Sequence, residues 1–142
     1  MKTNEILSAY NALAKAKLSK LTPDAKVKVI NALVAMKKVA EEYQAYADTL
    51  LSKLKGEEHD RLQELLTSFE SGDTSVSKAD VARARNYFRS YNAEASKCAK
   101  DALDKEAKVK LAKLTKKEFD DLLASNADME AGVLADVAGV ML

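Results

Sequence analysis

A chain of 142 residues falls within the usual size of one domain core, and 47% apolar with 32% charged residues is too apolar for a disordered chain and too charged for a membrane protein. No stretch approaches the ~20 apolar residues of a spanning helix, and Met1-Lys2-Thr3-Asn4-Glu5 lacks a signal-peptide core, so a soluble product of intracellular synthesis is expected. A net charge of +1 gives no global pull towards nucleic acid, and Cys98, the single cysteine, has no partner for an internal disulfide.

Four glycines and one proline leave few breaks in a sequence dominated by Ala, Leu, Lys and Glu, which favours an all-α fold. The first helix is expected from Thr3 to about Lys17. Ile6, Leu7, Tyr10, Leu13, Ala14, Leu18 and Leu21 share one stripe, and Glu5 suits the positive end of the helix dipole. Thr22-Pro23-Asp24 opens the second helix. Threonine is a good N-cap, and proline is tolerated at the first helical position because its missing N–H would be unpaired there anyway.

That helix has no breaker before Gly56, and its apolar positions Val29, Leu33, Met36, Ala40, Tyr43, Ala47, Leu50 and Leu54 step by four and three in strict alternation. Leu62, Leu65, Leu66 and Phe69 form a stripe in a shifted phase, so a separate short helix or a bend is expected near Gly56. Ser71-Gly72-Asp73-Thr74-Ser75 is the clearest turn. Ser77, with Asp80 three positions on, starts a helix whose seam is Val81, Ala84, Phe88, Tyr91, Ala95, Cys98 and Ala102. Two heptad seams joined by turns and a short helix predict a long antiparallel, coiled-coil-like hairpin, with alanines allowing close approach.

Lys108-Val109-Lys110-Leu111 alternates, as either one short strand over 108–111 or the end of the long helix would. Leu114-Thr115-Lys116-Lys117-Glu118-Phe119 reads as a helix start with a capping box and a hydrophobic staple. Ser125-Asn126-Ala127-Asp128 breaks that helix, and an apolar, small-residue tail follows. The expected organisation is one helical domain over 1–142: an N-terminal helix in 1–21, the hairpin in 22–107 and a small C-terminal cap in 108–142.

The chemistry on offer is sparse, and no catalytic, cofactor-binding or metal-binding residue is assigned. His59, the one histidine, stands between Glu58 and Asp60 and reads as a surface residue, because a metal site needs several convergent ligands. Cys98 lies on the seam and reads as packing. No nucleophile-elbow, zinc-protease, phosphate-loop or dinucleotide motif is present, so an enzyme is not expected.

Charge falls in blocks: +5 over 1–55, −5 over 56–75, +7 over 76–117 and −6 over 118–142. Two readings are open, complementation of basic by acidic segments within the fold and a basic face for an acidic partner. Arg83, Arg85 and Arg89 around Tyr87, with Lys108, Lys110 and Lys113, are the candidate basic face, with nucleic acid the less favoured partner. In the tail, Val133, Leu134, Val137, Val140, Met141 and Leu142 require cover from the chain itself or from a neighbour. They are the candidate partner-binding residues, for a second copy or another protein.

The run from Asn4 to Leu13, read as N-E-x-x-x-A-Y-x-A-L, precedes Lys17-Leu18 and a long helix containing Met36-Lys37-Lys38, and the chain later has a segment from Leu114 to Leu123. This arrangement resembles small bacteriophage-encoded helical proteins of unknown function. The resemblance implies a phage or prophage origin and a place in the host cell cytoplasm or the virion. It implies a non-catalytic structural or interaction protein, acting in virion assembly on itself or on a phage structural protein. The alternative is a small inhibitor or regulator of a host protein or nucleic acid. The resemblance supplies no catalytic residues, and the turn around Gly72 departs from its pattern.

Overall fold

The computed structural model describes all residues, 1–142, and the chain is all-α. Six helices follow one another: α1 (Thr3–Ala14), α2 (Pro23–Leu54), α3 (His59–Glu70), α4 (Lys78–Leu103), α5 (Lys116–Ser125) and α6 (Ala131–Met141). Their starts are local events that the side chains dictate. At the head of α2 the Thr22 hydroxyl accepts the Ala25 N–H at 3.3 Å, and Pro23 occupies the first helical position. At α4 the Ser77 hydroxyl accepts the Asp80 N–H at 3.1 Å. At α5 the Thr115 N–H donates to Glu118 Oε1 at 2.9 Å, and the Glu118 N–H donates to Thr115 Oγ1 at 3.2 Å, completing the reciprocal box. The turn between α3 and α4 places Gly72 at φ +93°, where a side chain would be strained.

The chain divides into two compact units, Met1–Gln44 with Ala102–Leu142, and Ala45–Asp101. The boundary falls inside α2, so one unbroken seam supplies two different cores.

In the first unit, Val29 and Met36 of α2 are fully buried beside Ile6, Ala9 and Leu13 of α1, Leu122 of α5, and Val137, Val140 and Met141 of α6. α1 packs along α6, so the two ends of the chain close this core together. Each fully buried Leu, Ile, Val or Met here contributes about 1.5–3 kcal/mol relative to exposure. Leu114 is buried and Phe119 packs partly against the same core, as the staple requires.

The segment between α4 and α5 holds no strand. It meets the N-terminus at one isolated antiparallel bridge, Lys2 with Glu106, where the Ala107 N–H donates to the Met1 carbonyl at 2.8 Å. α1 begins at Thr3, which leaves no extended backbone for the bridge to grow along. The alternation at 108–111 has another cause: Val109 and Leu111 lean on the core from a non-helical connector, while Lys108 and Lys110 are exposed.

In the second unit, α3 runs opposite to α4, with His59 beside Tyr87, Phe88 and Tyr91, and Phe69 beneath the Arg85 guanidinium. The end of α2 also faces α4 in the opposite direction. Tyr46, Ala47, Leu50 and Leu51 line a cleft of about 240 Å³ with Ala95, Ser96 and Ala99. The helical return is therefore made by the end of α2 and by α3 in turn, with the change of phase at Gly56.

Candidate interaction surface

The six tail residues meet different fates. Val137, Val140 and Met141 are buried in the core of their own unit, Val133 packs partly against it, and Leu134 is half-buried. Only Leu142 is exposed. The tail is anchored by polar contacts as well: the Leu114 N–H donates to the Met141 carbonyl at 2.7 Å, and Lys113 Nζ donates to the Val140 carbonyl at 2.9 Å. A cation at a helix C-terminus also suits the dipole. The cover these residues require comes from the chain itself, so Val137, Val140 and Met141 are not part of a contact surface.

The basic candidates divide between the two units: Arg83, Arg85 and Arg89 stand on α4, with Arg85 and Arg89 one turn apart, and Lys108, Lys110 and Lys113 stand on the connector to α5. Arg83 and Arg85 are separated by roughly 200° around α4, and their partners differ. Arg83 pairs with Asp80 at 3.4 Å, while Arg85 lies over the Phe69 ring at 5.7 Å from its centre. Arg89, Lys108 and Lys110 are exposed, and Lys113 is committed to the end of α6.

His59 differs most from its expected role. It is half-buried, with ring centres 4.8 Å from Tyr91, 5.2 Å from Phe88 and 5.6 Å from Tyr87, all edge-on. Its Nδ1 lies 2.8 Å from the Tyr87 hydroxyl, which also accepts the Gly56 N–H at 3.0 Å. Phe88 and Tyr91 sit on the α4 seam. Tyr87 lies one step off it, and its hydroxyl ties the α2–α3 turn to α4. The signal in the sequence was the density of aromatics at 87–91; what it lacked was the distance to residue 59. No group of three or more His, Cys, Asp or Glu is placed to hold a metal ion.

Cys98 is half-buried, and its thiol donates to Glu94 Oε1 at 3.7 Å. Desolvation, with the negative charge of Glu94 beside it, pushes the thiol above its ordinary pKa and disfavours the nucleophilic thiolate. In the first unit the Glu118 carboxylate is held below the usual glutamate range, first by Lys28 Nζ at 2.8 Å and then by the Thr115 N–H. In the α3–α4 turn, Asp73 is lowered by the Ser75 hydroxyl and N–H.

The exposed apolar surface that stands out lies on α2. Val27, Ile30 and Val34 are 56%, 51% and 65% exposed, although three large apolar residues at i, i+3 and i+7 share one helix face. This stripe is rotated roughly 140° from the buried positions Val29 and Met36. α2 therefore has two apolar faces within residues 23–44, one inside the core and one outward. Sequence reasoning passed over the second because it followed the longer heptad seam; a separate test of residues off that seam would have found it. Asp24, Asn31 and Lys38, all exposed, border the outward stripe on one side, and Lys37 lies in line with it. No helix is long and apolar enough to cross a membrane. Set against family models, curated proteins and solved structures, the chain has no match.

Proposed function

We propose that the protein is a non-catalytic interaction protein that works through helix-face contacts, with the outward face of α2 as its docking surface. The observation that carries this reading is the run Val27, Ile30 and Val34, held in water on a helix whose opposite side is locked into the core. Leaving three large aliphatic side chains exposed forgoes the burial energy they would gain elsewhere, and contiguous apolar surface of this kind marks interaction sites. The rigidity of the support adds to the argument. A face mounted on a packed helix loses little conformational entropy on docking.

The setting we propose is virion assembly in a bacteriophage, as an accessory to a structural protein. This setting is supported by the resemblance of the N-terminal helix and the segment from Leu114 to Leu123. The test is co-expression with the capsid and tail genes of the phage genome proposed as the source of the chain. The wild-type chain is expected to sediment with the assembled particles. The variant Val27→Gln, Ile30→Gln, Val34→Gln is expected to keep its helical circular dichroism and stay behind in the supernatant. Equal sedimentation of both, or of neither, overturns the reading. The alternative is a regulator of a host protein or nucleic acid, and its nucleic-acid branch predicts binding to generic DNA at low salt that falls steeply as salt rises.

A further inference from the structure

The charges around the outward face of α2 discriminate between occupants. In heptad terms Val27 and Val34 take one core position, with Ile30 and Lys37 in the other. Asp24, Asn31 and Lys38 fall at one flanking position, seven residues apart. The flank therefore runs from acidic through neutral to basic along the helix, with its centre at Asn31. All three residues are exposed.

We infer that this face takes a second copy of the same chain, with the two α2 helices antiparallel about a two-fold axis close to Asn31. Antiparallel coiled pairs bring the same flanking position of both helices together, so Asp24 of one copy meets Lys38 of the other, twice, and the two Asn31 amides meet at the axis. Ile30 then packs against Val34 of the second copy, and Val27 lies under the aliphatic stem of its Lys37, whose ammonium reaches water. A parallel pair would set Lys37 against Lys37 in the seam and keep Asp24 and Lys38 apart, because each flanking position there faces the other flank of its partner. The reversed direction is thus the one in which the opposite charges of this flank meet. The contact is isologous and closes at two copies, because each copy uses the same patch.

The apolar stripe is only three residues long. That is narrower than the roughly 800 Å² per partner of a standard stable interface, so the dimer belongs to the concentration-dependent class.

This inference rests on the docking role given above to the same face and names what occupies it in the free chain. The test is sedimentation equilibrium of the full chain over a wide loading range at low salt. The wild-type chain is expected to rise from monomer mass towards twice that mass. D24K alone and K38D alone are each expected to remain monomeric, since each sets like charges against one another. An equimolar mixture of the two is expected to recover the doubled mass, because every facing pair is again opposite in sign. The double variant D24K/K38D is expected to behave as wild type.

Circular dichroism of each variant separates a lost contact from a lost fold, and the mixture reads the pairing directly because the same two folded chains fail separately and succeed together. A wild-type chain that stays monomeric at every loading overturns the inference. So does a mixture that fails where wild type dimerises. If the wild-type chain is monomeric while the triple glutamine variant still loses its particles in co-sedimentation, the docking role stands and self-association falls.

Discussion

The side chain of Asn126 pairs with both backbone groups of Lys17, accepting its N–H at Oδ1 (2.7 Å) and donating Nδ2 to its carbonyl (2.8 Å). The same Nδ2 donates to the Leu122 carbonyl at 2.9 Å, and Asn126 is almost wholly buried. Beside it, the Ser125 hydroxyl accepts the Lys20 N–H at 2.9 Å. The end of α5 thus fastens the loop between α1 and α2, where the backbone has left one helix and not yet entered the next.

Asn126→Ala removes the partners of three backbone groups in a site with little water. Losses of about 2–3 kcal/mol in the stability of the chain are expected, read by chemical denaturation. Asn126→Asp is expected to be at least as damaging, because it keeps the acceptor, loses both donors and buries a charge. A change of a few tenths of a kcal/mol would mean that the loop is held elsewhere.

Shortening a tail side chain is expected to injure the fold. Met141 is fully buried against the same core as Ile6 and Leu122. Met141→Ala should cost about 2–5 kcal/mol through lost burial and a residual cavity. Leu142→Ala, at the exposed end, should cost well under 1 kcal/mol. Thermal melts of the two variants separate a core tail from a free one; similar melting points would contradict the packing.

Acid is expected to weaken the first unit partly through Glu118. Its folded-state pKa is depressed by the Lys28 ammonium and the Thr115 N–H, so the stabilisation is fully present above the unfolded-state value of roughly 4.3. It is lost as pH falls through the lower folded-state value. The Glu118→Gln variant keeps a capping-box acceptor but cannot titrate. Its melting temperature should fall less than that of wild type as pH drops below about 4.3. Parallel curves for the two proteins would remove Glu118 from the account.

Tyr87→Phe keeps the ring among His59, Phe88 and Tyr91 and removes the hydroxyl that holds the Gly56 N–H. A local loss of about 1 kcal/mol is expected. The readout is faster amide hydrogen exchange at Gly56, with little change at the far end of α3. Unchanged exchange at Gly56 would show that the hydroxyl does not fasten the turn.

Much of the fold was written locally. Thr22-Pro23, Ser77 with Asp80, and Thr115 with Glu118 each fix a helix start through side chains within three residues of the backbone groups they satisfy. The spacing of Val29 and Met36 identified a buried face, since a helix repeats that face every three to four residues whatever it packs against. The candidate surface was only partly visible. The tail was marked as apolar, but no local rule says whether α1 or another molecule covers it, because the two burials look identical in sequence. The pairing of Asn126 with Lys17, the ring cluster around His59, and the exposure of Val27, Ile30 and Val34 arise between segments far apart in the chain. Periodicity fixes which residues share a face; only the packed structure decides which of two apolar faces on α2 goes inward, because that depends on where the other helices stand.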